Sequence, residues 1–160
     1  MGPVLAKRHR EDQVAVTIDV SYLGDLHCEA THGPSGNRLV TDAPVDNGGR
    51  GETFSPTDLA ATGLGTCLVT LMGIAAKRHG WDLTGTRVRV VKEMTAVPIR
   101  RIGALTATIS VPAGRITSAA DRRLLERAAD TCPVRQSLHP DVKLTMAFDW
   151  GDGPSSTAGC

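Results

Sequence analysis

The 160 residues, 41% of them hydrophobic and 22% charged, have the composition of one globular domain rather than of a disordered or fibrous chain. A formal charge of +1 leaves no overall field to draw in nucleic acid or acidic lipid, and two Phe, two Trp and one Tyr are too few to stack bases or line a sugar groove. The core must be built from aliphatic and small side chains.

Met1 to Gln13 places Lys7, Arg8, Arg10, Glu11 and Asp12 where a secretory signal needs an apolar stretch, so a cytoplasmic location is expected. Val14, Val16, Ile18, Val20 and Tyr22 then alternate with polar or small residues, a period of two that predicts a strand with one buried face. Gly24-Asp25 and the Gly33-Pro34-Ser35-Gly36-Asn37 cluster punctuate shorter strands near Leu26–Thr31 and Arg38–Asp42, giving a meander. Gly48-Gly49-Arg50-Gly51 reads as a flexible loop.

Ser55-Pro56-Thr57-Asp58 combines an N-cap Ser, Pro at the first helical position and an acid three residues after the cap, and His79-Gly80 supplies the stop. A helix of about 24 residues, roughly 36 Å long, is predicted between them. Leu59 to Ala76 carries no charge and is just long enough to span a membrane, but its three Gly and three Thr suit lipid poorly. A buried core helix is expected, wrapped by sheet or covered by a second subunit.

Two strands follow, Arg87–Met94 and Leu105–Val111, joined through Pro98–Gly103. Ser118 with Asp121 opens a second helix whose Leu124, Leu125, Ala128 and Ala129 share a face, and Cys132 continues that face. Pro133 ends this helix and starts a short one through Val134–Leu138. Val142, Leu144, Met146, Phe148 and Trp150 alternate as the last strand, and the Gly/Ser-rich residues 151–160 read as a disordered tail. Strands and helices do not alternate as a doubly wound sheet requires, so the expectation is a single α+β domain over residues 1–150, mainly antiparallel around a long buried helix.

Cys28, Cys67, Cys132 and Cys160 show no short paired spacing of the zinc-ribbon or thioredoxin kind. Cys67, mid-helix in Gly63-Leu64-Gly65-Thr66-Cys67, is either a small core hydrophobe or a reactive thiol. Cys132 precedes Pro133 at a helix start, where free N–H groups favour a thiolate, although core filling would also account for it. Cys28 lies between His27 and His32, but three ligands on one short strand point to both faces, so no metal is expected there. Cys160 reads as an incidental thiol on the tail.

Phe54-Ser55-Pro56-Thr57-Asp58-Leu59-Ala60-Ala61-Thr62-Gly63-Leu64-Gly65-Thr66-Cys67, followed by Thr131-Cys132-Pro133-Val134, resembles the paired motifs of the osmotically inducible protein C (OsmC) and organic hydroperoxide resistance (Ohr) proteins. The long uncharged helix, the Arg100-Arg101 turn and the closing strand occur in family order from Val14 to Trp150. The resemblance implies an OsmC-like intertwined homodimer with the long helices at its centre, and a peroxidase without cofactor. In it Cys67 attacks the O–O bond of an organic hydroperoxide and becomes a sulfenic acid, and Cys132 condenses with that acid to a disulfide. A dithiol reductant, a lipoyl group in the peroxidatic relatives, then restores both thiols.

The sequence departs from that pattern at Thr57, where peroxidatic relatives carry Glu, and in Tyr22–Thr31, where their partner Arg is missing. A mid-helix thiolate needs a nearby cation because desolvation alone raises its pKa. Arg38, Arg50 and Arg135 are the candidates, with Glu52 or Asp58 to hold whichever serves. The alternative is a non-catalytic dimeric small-molecule-binding or stress protein of the same fold. A thiol hydrolase with His79 as base is disfavoured, since twelve helical residues separate it from Cys67 by roughly 18 Å.

Overall fold

The computed structural model describes residues 15–152 and 156–158, which divide at Ser55 and Pro56 into two compact units. The expected α+β class holds, with two small sheets and one long helix.

The first unit is the expected meander: β1 (Ile18–Gly24), β2 (His27–His32) and β3 (Arg38–Thr41) form an antiparallel sheet in that order. Asp25 and Leu26, at φ 48° and 65°, close the β1–β2 hairpin with both central residues left-handed, the arrangement that matches the twist of paired strands. Beyond β3, a short 3-10 turn at Val45–Asn47 leads into a loop folded back on Asp42. Asp42 Oδ2 accepts the backbone N–H groups of Arg50 and Glu52, each at 3.1 Å, and the Asp42 N–H donates to Phe54 O at 3.1 Å. The Gly48–Gly51 segment is thus tied to a buried carboxylate.

One expectation for β1 fails. Ile18, Val20 and Tyr22 do fall on one face, but they are 60, 63 and 66% exposed. A three-stranded meander has no second layer of its own to cover an apolar face, so period two reports the face without supplying its cover. Val14 lies outside the described residues.

The second unit opens with α1 (Pro56–His79), bounded as the sequence signals predict. Gly80, at φ 71°, ends it: Trp81 N–H donates to Ala76 O and Gly80 N–H to Lys77 O, which satisfies carbonyls of the last turn. By length and composition α1 could cross a membrane, yet Leu64, Leu68 and Met72 are buried in the core of this unit. Ala61 and Ala76 extend the same stripe, whereas Thr62, Thr66, Thr70 and Ile74 on the opposite stripe are exposed. Burial within this unit is therefore one-sided, because its sheet and helix pack on one flank only. Gly65 permits that contact, since a Cβ there would stand 2.9 Å from Val90 Cγ2.

β4 (Arg87–Thr95) and β5 (Arg101–Ser110) pair antiparallel, and β5 begins earlier than expected, taking Arg101, Ile102 and Gly103 out of the predicted turn. α2 (Ala119–Asp130) is capped by Ser118 Oγ, which accepts the Asp121 N–H, and Cys132 starts α3 (Pro133–Gln136). This helical crossover returns the chain to β6 (Lys143–Asp149), which lies parallel to β5 within an otherwise antiparallel sheet. The tail expected to be disordered instead contributes β7 (Ser156–Ala158), antiparallel to β6. The edge of β6 away from β5 offers backbone donors and acceptors that a passing segment of any composition can pair with. Leu64, Leu68, Leu105, Ile109, Leu125 and Phe148 form the centre of the core, each stabilising the fold by roughly 2 kcal/mol through burial.

Candidate active site

Two of the sequence-predicted residues meet in the second unit. Cys67 lies on the half-buried flank of α1 and packs against the core cluster that contains Cys132. Cys132 is held by the chain on both sides of it: its N–H donates to Ala129 O at 3.1 Å, closing α2, and Pro133 fixes the first residue of α3. At that N-cap the Cys132 Sγ accepts the Arg135 N–H at 3.4 Å and is fully buried. The Cys67 side chain is its hydrogen-bond partner, and both sulfurs are free thiols.

Burial pushes the Cys132 thiol up, its interaction with the Cys67 side chain pushes the same way, and the Arg135 and Val134 N–H groups oppose them without prevailing. Of the two readings open for Cys132, burial favours core filling: the N–H groups are present, but desolvation outweighs them. Burial thus favours the neutral form of Cys132. Cys67, less buried, is the one a reagent can reach.

The candidate cations take other partners. Arg135 contributes its backbone N–H to Cys132, while its guanidinium donates to Asp130 O at 3.2 Å. In the first unit, Arg38 pairs with Glu29 at 3.3 Å, and Arg50 lies 3.5 Å from Asp25 and 3.8 Å from Glu52. Asp58 Oδ1 lies 2.6 Å from Lys92 Nζ, which also donates to Thr57 Oγ1 at 2.7 Å. Sequence reasoning missed Lys92. The signal was there, since Lys92 shares the inward phase of β4 with Val88 and Val90, and a charged residue at an inward position needs a partner. His79 stacks on Trp81 at 4.5 Å, and His32 Nδ1 bonds Ser35 Oγ at 2.7 Å. His27 and His32 thus take separate partners, while Cys160 lies outside the described residues.

The family model for OsmC-like protein matches residues 49–147, which include both cysteines and both helices that carry them. The chain belongs to the OsmC-like protein family. A solved Psychrobacter arcticus 273-4 protein, named as a candidate osmotic stress induced and detoxification response protein, is 40% identical over 85% of this chain and 97% of its own, with a TM-score of 0.78. The Legionella pneumophila organic hydroperoxide resistance protein OsmC, described as a predicted redox protein and regulator of sulfide bond formation, is 14% identical, with 86% and 98% covered and a TM-score of 0.69. An organic hydroperoxide resistance protein from Elizabethkingia anophelis is 12% identical, with 87% and 98% covered and a TM-score of 0.68. At such identities these two likenesses concern the fold. No curated protein matches the sequence.

Proposed function

We propose that this OsmC-like protein is a thiol peroxidase that reduces organic hydroperoxides to alcohols. The observation that carries the proposal is the contact between a partly exposed Cys67 and a buried, neutral Cys132. The Cys67 thiolate attacks the O–O bond of ROOH, forming an S–O bond and expelling RO⁻, which takes a proton to leave as ROH. Cys132, kept as a thiol, is spared direct oxidation. Its sulfur then attacks the sulfenic acid, an S–S bond forms, and the hydroxyl departs with the thiol proton as water. A dithiol of the lipoyl class, acting in the cytoplasm, supplies the two electrons that reopen the disulfide.

The working unit is a homodimer. The exposed apolar face of β1 and the open Thr62, Thr66, Thr70 and Ile74 stripe of α1 are surfaces that a second subunit would cover. An aliphatic surround favours fatty or aryl hydroperoxides over hydrogen peroxide.

A second reading has its own support: Thr57 and Asp58 hold Lys92 where peroxidatic relatives are expected to hold an Arg through Glu. On that reading the protein is a non-catalytic binding or stress protein. The two are separated by treating Cys132→Ser with one equivalent of cumene hydroperoxide and trapping sulfenic acid with a dimedone reagent. Adduct confined to Cys67 supports the peroxidase. Absence of adduct, with peroxide unconsumed, supports the binding protein.

A further inference from the structure

Outside the cysteine pair, the first unit brings together three side chains that no sequence spacing links: His27 at the start of β2, Asp42 just beyond β3, and Glu52 in the loop that folds back on Asp42. Their donor atoms all lie within 4.8 Å of one another. His27 Nε2 stands 3.8 Å from Asp42 Oδ1 and 3.5 Å from Glu52 Oε2. Ligands at about 2.05 Å from a tetrahedral ion are about 3.4 Å apart, so shifts of at most about 1.4 Å would close these atoms around one centre.

Two independent details point the cluster at a cation. Asp42 is 1% exposed, and while its Oδ2 takes two backbone N–H groups, its Oδ1 has no hydrogen-bond partner among the described residues. A buried carboxylate oxygen without a donor calls for a positive group. His27 Nδ1 lies 2.9 Å from the Asp25 carbonyl oxygen, which can accept only if Nδ1 carries the hydrogen. In the neutral ring that leaves the lone pair on Nε2, the atom 3.8 Å from Asp42 Oδ1 and 3.5 Å from Glu52 Oε2, and metal-ligating histidines are oriented by this same backbone carbonyl bond. Arg50, whose guanidinium is exposed and 3.8 Å from Glu52 Oε1, partly offsets the local negative charge from outside.

We propose that His27, Asp42 and Glu52 bind one divalent transition-metal ion, with zinc as the best match to one imidazole, two carboxylates and a ligand position left to solvent. The donor set is nitrogen and oxygen without thiolate, which suits zinc, manganese or iron(II) and not copper(I) or an iron–sulfur cluster. All three ligands belong to the first unit, and neither cysteine of the pair is among them.

The test is calorimetric titration of zinc chloride into the reduced full-length protein, with cobalt(II) absorption followed in parallel. One ion per chain is expected, with a cobalt spectrum lacking the near-ultraviolet thiolate charge-transfer band. His27→Gln and Glu52→Gln should each weaken binding roughly tenfold or more. Asp42→Asn is the most direct variant but also removes a loop anchor, so the other two decide the matter. Absence of saturable binding at submillimolar zinc would overturn the proposal. So would a cobalt spectrum with a thiolate band that disappears in Cys67→Ser, or an affinity unchanged in both His27→Gln and Glu52→Gln.

Discussion

Replacing Cys132 with Ala should cost stability in a way that depends on pH with a definite sign. At pH 7 the variant loses the N-cap acceptor of the Arg135 N–H and a fully buried sulfur, together about 1 to 3 kcal/mol. The thiol is pushed up in the folded protein, first by burial and then by Cys67, so the folded state holds its proton at a pH where the unfolded chain has released it. Folded protein then binds more protons than unfolded, and stability falls as pH rises. The contribution is complete below the unfolded thiol value of about 8.5 and declines above it by at most about 1.4 kcal/mol per pH unit, until the folded thiol itself ionises. The gap between wild type and Cys132→Ala should therefore narrow between about pH 8.5 and 10. Urea unfolding under a phosphine reductant, with matched curves at each pH, measures it. In Cys67→Ser the narrowing should persist in reduced form, because burial remains while the Cys67 contributions are gone. A gap that is constant or widens with pH would refute the claim that Cys132 is held neutral.

Other substitutions probe the elements that position the site. Lys92→Met should lower stability by about 1 kcal/mol or less in thermal unfolding, since its pairing with Thr57 and Asp58 is partly exposed and screened. Gly65→Ala gains helix propensity of about 1 kcal/mol but drives a methyl against Val90 Cγ2, and overpacking of about 1 to 3 kcal/mol should make the net change destabilising. Light scattering at micromolar concentration should give the mass of two chains for wild type. Val20→Asp, on the exposed apolar face of β1, should shift that mass toward one chain if this face is covered in the dimer.

The ends of α1 were legible because its signals are local: a cap, a proline and an uncharged stretch at one end, a basic last turn and a glycine at the other. What covers it was not legible, because a sequence apolar around the whole helix does not say which flank meets its own chain. The same limit applied to β1, whose alternation named the apolar face but not its neighbour. Cys67 and Cys132 could be paired only through the resemblance, since the 64 intervening positions carry no geometric information. For Cys132 the helix start was readable from Pro133, whereas the depth of burial that decides between thiolate and core filler was not. Lys92 needed only the phase of β4 to be noticed, whereas Asp42 and Glu52 come together through a loop closure that no periodicity encodes.

The account rests on Cys67 and Cys132 acting as one redox unit, and the most direct test is a titration of fully reduced protein with cumene hydroperoxide, counting thiols and mapping disulfides by mass. One equivalent of peroxide should consume both thiols of the pair, yield cumyl alcohol and leave a Cys67–Cys132 disulfide at a rate well above that of a free thiol. Thiol loss at the free-thiol rate, or oxidation that leaves Cys67 and Cys132 unlinked, would contradict it.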